Sequence, residues 1–403
     1  METAAARRGS GSSRMVLSGG RVVLANEVLE ASLVFEDGRI TEIARRNIPK
    51  DTAGDFLDCS GRIIVPGMID VHVHGVDGTD TLEGGDAIAR IAERLPRYGV
   101  TGFCPTSIAC SPQALTTMLD AVRAARGAST GARVLPAHLE SNFINPEFRG
   151  AQPLDCLRSP RARAAEGTFS GGDILDVISR ARHEVGIMTV APELESALEL
   201  IRDLVSQGIE VSLGHSGATY DQAIAGIEAG ARQATHLFNR MTPLHHRAPG
   251  LTGAVLESGS VCAEVICDGV HVHPGMVRMA YAAKGASAMM AITDGTAGSG
   301  LARGSQAALG GRPIRIADAA YLEDGTIAGS VLTMNQAFAA LVRDIKLSLP
   351  DAARSCATTP ARALGLADTG EIAEGYTADV VVLAEDFQVV ATCIGGSLAF
   401  ARQ

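Results

Sequence analysis

Lysine is nearly missing from this 403-residue chain, occurring only at Lys50, Lys284 and Lys346. Lysine and arginine together number 35 against 45 acidic residues, a formal net charge of -10. The chain therefore lacks the basic surplus expected of a nucleic-acid or anionic-membrane surface, and neither partner is expected. An anionic small molecule would have to be held by a few local cations. None of the eight cysteines forms a CxxC pair. That excludes a zinc knuckle and favours buried thiols of a reducing compartment over a disulfide frame, so a cytoplasmic location is expected. No apolar run approaches the roughly 18 residues of a membrane span. The first fourteen residues, METAAARRGSGSSR, lack the apolar stretch of a signal peptide and read as a disordered leader.

What is present is a chain 46% hydrophobic and 20% charged, long enough for one large domain with a smaller companion. Both ends are β-rich. Residues 16–44, VLSGGRVVLANEVLEASLVFEDGRITEIA, and 370–400, GEIAEGYTADVVVLAEDFQVVATCIGGSLAF, show short apolar runs broken by hairpin punctuation. The expectation is a small β-sandwich domain built from 15–66 and 363–403, with residues 67–362 between them. That middle alternates apolar strands with helical patterns. Eight strands can be counted: IIVPGMIDVHVHG, VTGFCPTS, RVLPAHLES, IMTVAPE, IEVSLGHS, ARQATHLFN, CAEVICDG and MMAITDG. GDAIARIAERLPRYG, PQALTTMLDAVRAAR and ELESALELIRDLVSQG repeat apolar residues at three and four, as amphipathic helices do. The link after the sixth strand is an exception, opening with the loop-like NRMTPLHHRAPG. Such alternation predicts an α/β fold, a (β/α)8 TIM-type barrel with its active site at the C-terminal ends of the strands.

The polar residues at those ends carry the functional argument. His72 and His74, two apart on a strand, point to one side. A lone histidine in an apolar run is more often a satisfied core residue, but the other strand ends add His138, Glu140, Glu193, His215, His236, Asp268, His271 and Asp294. Burying so many imidazoles and carboxylates requires extensive hydrogen bonding or an ion, and these are the donors that zinc or iron prefer. The set is large enough for one or two divalent ions per chain. No lysine ends any strand from the third to the eighth, which excludes a carbamylated-lysine bridge and leaves Glu140 as the bridging carboxylate. Asp294, ending the last strand, is placed to accept the proton of a water whose pKa a metal lowers from about 15.7 towards about 7. Its plainer reading is an N-cap in the TDGT turn.

Taken together, PGMIDVHVHG, HLESNFINPEFRGAQ, SLGHSGATYDQA, ATHLFNRMTPLHHRAPG, CDGVHVHP, AITDGTAGSG and GSVLTMNQAF strongly resemble, in order, the amidohydrolase superfamily and within it the N-acetylglucosamine-6-phosphate deacetylases. The resemblance spans nearly the whole chain after the leader. It implies that Glu140, His215 and His236 hold the principal metal, that His72 and His74 hold a second, and that Asp294 is the catalytic acid/base. It further implies that His271 contacts the substrate and polarises the acetamide carbonyl. Asn239 and Arg247 would bind phosphate, the arginine reaching across the interface of a homodimer. The loop NRMTPLHHR fits that role chemically, since Arg240, His245, His246 and Arg247 supply cations in an acidic protein; the alternative is a solvated loop.

Departures from the family's usual pattern are Ser141-Asn142 where Gly-Pro is frequent, Gln152 where histidine is expected, Arg240 in place of a common alanine, and Gly295-Thr296-Ala297 after the aspartate. Gln152 and Arg240 are expected to line the sugar pocket. The implied reaction is deacetylation of N-acetylglucosamine 6-phosphate to glucosamine 6-phosphate and acetate, in amino-sugar catabolism or cell-wall recycling. The alternatives are another N-acyl amino sugar such as N-acetylgalactosamine 6-phosphate, another amide, or a binding protein on a catalytically dead barrel.

Overall fold

The computed structural model describes residues 14–50, 54–127, 131–160 and 167–402. Eight parallel strands form its centre: β1 Met68–Val73, β2 Val100–Ser107, β3 Ala137–Leu139, β4 Val185–Val190, β5 Glu210–Leu213, β6 Gln233–Ala234, β7 Cys262–Ile266 and β8 Met289–Ile292. Each pairs with the next in chain order. A parallel bridge between Val73 and Gly295 brings the end of β8 against β1 and closes the ring. The strands are buried on both faces, and so they read as continuous apolar runs without alternation.

Helices cover the ring as the periodicity predicts. Pro112–Arg126 matches PQALTTMLDAVRAAR residue for residue. Ser111 caps it by accepting from the Ala114 amide at 3.2 Å, Pro112 occupies the first turn, and Leu115, Met118, Leu119 and Val122 form the buried stripe. The two other helical patterns are longer than the helices they produce. Residues 85–99 give the helix Ala87–Arg94 followed by a 3-10 turn at Pro96, and residues 193–208 give Ala197–Ser206. A proline near the end removes an amide donor and ends the first of these early.

Both chain ends join one sheet of eight strands, Arg14–Val23 to Ile63–Pro66 from the first and Val380–Leu383 to Ser397–Ala401 from the second. Ile63–Pro66 and Val380–Leu383 run antiparallel side by side, Ile64 opposite Val382, which splices the termini together. The sheet curls on itself. Cys393 Sγ lies 3.8 Å from Met15 Sδ although two strands separate theirs in the sheet order, and Arg39 bridges to Thr377. Both termini thus build one small unit, as expected, in the form of a single sheet around a core that includes Leu17, Leu33, Phe35, Ile64, Val380 and Val382. Of the leader expected over residues 1–14, residues 1–13 lie outside the described residues, whereas Arg14 already opens the first strand.

One element has no counterpart in the sequence expectations. Between β8 and the helix Met334–Arg343, the strands Gln306–Leu309, Arg312–Ile316 and Ala320–Tyr321 form a small antiparallel sheet with its own apolar cluster around Ile108, Leu309 and Ile314. The Gly310-Gly311 turn between apolar runs was its signal.

The terminal sheet is tied to the barrel through Arg133, whose guanidinium grips both oxygens of the buried Asp379 carboxylate; that carboxylate also accepts the Gly395 amide at 2.8 Å. Arg133→Ala leaves Asp379 buried with a single donor, and a loss of about 1.5–3 kcal/mol is expected, read from the shift in the urea midpoint.

Candidate metal centre

Residues 70, 72 and 74 alternate onto the inner face at the end of β1, and the structure brings four imidazoles against one carboxylate there. Glu140 Oε1 lies 2.8 Å from His215 Nε2 and 2.8 Å from His236 Nε2. Its Oε2 faces His74 Nε2 at 3.5 Å, and His72 Nε2 stands 3.8 Å from Oε1. Asp294 Oδ1 closes the group, 3.2 Å from His74 Nε2 and 3.4 Å from His72 Nε2. All six side chains are buried. Among the described residues three sets of donor atoms are compact enough to hold an ion: Glu140, His215 and His236; His72, His74 and Glu140; and His72, His138 and Glu264, the last with both His138 nitrogens already hydrogen-bonded.

The orientation of the rings tests whether a cation fits. His215 Nδ1 donates to the Phe148 carbonyl at 2.8 Å, and His72 Nδ1 donates to Glu264 Oε2 at 2.9 Å. With Nδ1 carrying the proton, each neutral ring turns an Nε2 lone pair inward. His215 Nε2 lies 3.1 Å from His236 Nε2, and His72 Nε2 lies 3.3 Å from His74 Nε2. Lone pairs so close to one another and to a carboxylate repel unless positive charge sits among them, and a divalent cation supplies it. Protons supply it otherwise. Burial opposes charging the two rings, but Glu264, Asp294 and Glu140 outweigh it for His72, which is pushed up to about 9. Asp294 and Glu140 do the same for His74, pushed up to about 10. Burial likewise works against ionised Glu140, yet His215, His236 and His74 hold its carboxyl well below the usual range.

Backbone strain concentrates here. Among the described residues ten non-glycine residues have positive φ, and five belong to this mouth: His215, His236, Phe238, Arg240 and Asp294. Asp294, at φ 48°, is locked by its amide donating to His72 O at 2.9 Å and its carbonyl accepting from Ser330 at 2.8 Å. Gly329 is forced: a Cβ there would stand 2.9 Å from the Asp294 carbonyl oxygen. No helix begins at Asp294, so the capping alternative does not describe it.

A cavity of about 410 Å3 opens over the cluster, and Gln152, Asn239, Arg240, His271 and Asp294 line it. His271 Nδ1 donates to Asp268 Oδ2 at 2.6 Å, leaving Nε2 for the cavity; Asp268 outweighs burial and raises the ring's pKa. Asn239 Nδ2 is turned towards the carbonyls of His236 and Leu237 at 3.2 and 3.4 Å. Gln152 receives a physical account absent at the level of sequence. Its Oε1 accepts the Ala109 amide at 2.7 Å, so its Nε2 must face Glu140, and it orients that carboxylate. Arg247 is exposed and stands outside the cavity of its own chain. Two members of the expected ring do other work. His138 spends both nitrogens on the Val71 carbonyl and Thr189 hydroxyl at 3.0 and 2.9 Å, a satisfied core histidine that burial pushes down to about 4. Glu193 accepts from Asn145, Ser216 and Gly217, fastening two loops together.

Sequence reasoning passed over Glu264 and Asp70, both fully buried. Asp70 accepts from the Thr293 hydroxyl at 2.5 Å, joining β1 to the turn that carries Asp294. An acid inside a five-residue apolar strand, as in CAEVI, was the available signal.

The amidohydrolase family profile matches residues 63–399. The chain belongs to the amidohydrolase family. Within it, the N-acetylglucosamine-6-phosphate deacetylase of Bacillus subtilis strain 168 is 33% identical over 391 residues, covering 94% of this chain and 95% of that one. The mouse enzyme of that name is 35% identical over 393 residues, covering 94% of each. A solved structure of a mutant N-acetyl-D-glucosamine-6-phosphate deacetylase from Mycobacterium smegmatis in complex with N-acetyl-D-glucosamine-6-phosphate superposes with a TM-score of 0.87. It is 32% identical and covers 96% of this chain and all of that one. No described helix of this amidohydrolase is long and apolar enough to cross a membrane.

Glu264, Asp294 and Glu140 favour the protonated forms of His72 and His74, pushing them up to about 9 and about 10, so a cation binding at their Nε2 atoms competes with protons. Metal affinity is expected to rise with pH between 6 and 9. Calorimetric titration of zinc in buffers of different ionisation enthalpy should show protons released; a buffer-independent heat would contradict the assignment.

Proposed function

We propose that this chain removes the acetyl group of N-acetylglucosamine 6-phosphate, giving glucosamine 6-phosphate and acetate, with zinc or iron at Glu140, His215 and His236 and a second ion at His72 and His74. The observation that supports it most is the placement of Asp294: an acid with an oxygen 3.2 Å from a ligand-type imidazole nitrogen, on the floor of a cavity whose rim presents Arg240. A bound divalent ion would lower the pKa of water and polarise the acetamide carbonyl.

The chain's own residues do the remainder. Asp294 accepts the proton of the attacking water and returns it to the departing nitrogen, since an amine leaves poorly unless protonated. Its backbone, fixed from His72 and Ser330, holds the carboxylate in place for both transfers. His271, held by Asp268 through Nδ1 and favoured by that carboxylate in its protonated form, turns an Nε2–H towards the carbonyl oxygen and stabilises charge growing there. Arg240 receives the phosphate, joined by Asn239 once its Nδ2 turns from the carbonyls of His236 and Leu237. Arg247 completes that receptor from the second protomer of a homodimer: its loop, 243–248, is exposed, Leu244 41% so, and carries His245 and His246 beside it. Eight free cysteines support a cytoplasmic setting.

Acetate release should be measured from N-acetylglucosamine 6-phosphate, the unphosphorylated sugar and the galacto epimer phosphate. The first is expected to react far faster. Asp294→Asn should lower kcat by about 10²–10⁴-fold while its metal content stays unchanged. Preference for the galacto epimer would move the reading to a different amino sugar, and no release from any of the three by a metal-loaded enzyme would defeat it. Arg247→Ala is expected to raise KM for the phosphorylated sugar while leaving kcat nearly unchanged, in a protein whose light-scattering mass is that of a dimer.

A further inference from the structure

We infer that Glu264 is a positioning residue for the second ion: it fixes the ring of His72 so that Nε2 faces the His72, His74 and Glu140 group, and thereby sets how tightly that group holds its ion. The inference rests on the two-ion reading above. Glu264 sits in the middle of β7, wholly enclosed. Its Oε2 accepts two bonds, from His72 Nδ1 at 2.9 Å and from the His236 amide at 3.1 Å. The first bond decides the tautomer: with the proton held on Nδ1, Nε2 is a lone pair that can ligate. The second pins the carboxylate to the strand end that carries His236, so it cannot swing away.

His138 buttresses the arrangement without competing for it. Its ring packs on that of His72 with centroids 4.6 Å apart, and both its nitrogens are engaged elsewhere. Glu264 Oε1 has no hydrogen-bond partner and lies 3.7 Å from His138 Nδ1. A fully buried carboxylate with one oxygen unpaired is costly, and a cation on the far side of the His72 ring offsets that cost by polarising the N–H that Glu264 accepts. The other rings have no such support. His215 is oriented by the neutral Phe148 carbonyl, and the Nδ1 atoms of His74 and His236 have no hydrogen-bond partner. Among the four rings, His72 alone has a carboxylate hydrogen-bonded to its Nδ1, so removal of that carboxylate should act most on the ion that His72 holds.

The test uses the full chain loaded with zinc, titrated with a chelator, with bound metal counted by mass spectrometry for wild type, Glu264→Gln and Glu264→Leu. Wild type should hold two ions. The leucine variant should keep the ion of Glu140, His215 and His236 at the wild-type chelator concentration and surrender the other at a concentration lower by about 10–100-fold. The glutamine variant, whose amide oxygen can still accept both bonds, should fall between. The retained ion is itself proof that the variant is folded; if the leucine variant fails to fold, the glutamine variant decides. Identical release of both ions from every protein overturns the inference. So do joint loss of both ions from a folded glutamine variant, which would mark a merely structural role, and wild type that takes up one ion only. Acetate release by wild type is assayed separately, so failure of the deacetylase reading alone would leave the metal result standing.

Discussion

The carboxylate of Glu140 is buried among four imidazoles, and the neighbouring structure is arranged around the charge it carries. An ionised carboxylate in that position is stable only with hydrogen-bond donors or cations on every side. Gln152 provides a donor on one oxygen, and the rings of His215 and His236 stand 2.8 Å from the other. Two of the rings are set from outside the cluster to present Nε2: a carbonyl in the 3-10 turn Pro146–Phe148 for His215, a carboxylate on β7 for His72. The barrel makes such convergence possible, because only parallel strands closed in a ring bring the ends of β1, β3, β5, β6 and β8 to one point.

That convergence has a conformational cost, visible in the backbone. Strands run straight out of the barrel unless they turn sharply, and His215, His236 and Asp294 turn at positive φ. Each such residue costs of order 1–3 kcal/mol and persists only where neighbours over-determine it. They do so through cross-strand amides: Asn145 donates to His215 O at 3.0 Å, His74 to Gly295 O at 2.7 Å, and Asp294 to His72 O at 2.9 Å. The loops of one strand thereby set the geometry of the next, and the mouth is held by backbone hydrogen bonds although little of it is regular structure.

What could be read from the sequence follows from the same physics. Apolar runs alternating with three-and-four periodicity specified the strands and helices, since burial on both faces of a parallel strand leaves an uninterrupted apolar signature. The spacing of His72 and His74, and the acids and histidines ending later strands, marked the cluster. Spacing along a strand cannot say which way a ring turns or how deep it lies. His138, adjacent in sequence to the cluster, therefore looked like its members, yet it sits one layer below. Glu193 was misplaced for a similar reason: it lies three residues beyond the end of β4, where the chain has already turned towards the loops it ties. The small sheet at 306–321 was missed because its strands are of two to five residues, too short for either period to register.

That sheet bears on the chemistry more than its size suggests. Leu309 and Ala328, with Ile108 from the end of β2, give the cavity an apolar wall facing a floor of Glu140, His74 and Asp294. The wall is held over the mouth by polar fastenings: the Gly310 amide donates to Asp80 Oδ2 at 2.9 Å and the Arg312 guanidinium to the Ala151 carbonyl. An acetamide divides in the same way, with a methyl group on one side and a carbonyl and nitrogen on the other. For the deacetylation proposed above, the methyl would meet the wall and the carbonyl the floor. In that reading the apolar cover would also exclude water and lower the local dielectric, strengthening the interactions of Asp294 and His271 with developing charge. A barrel mouth left open to solvent would possess the same ligands and acids, but it would lose much of their electrostatic effect.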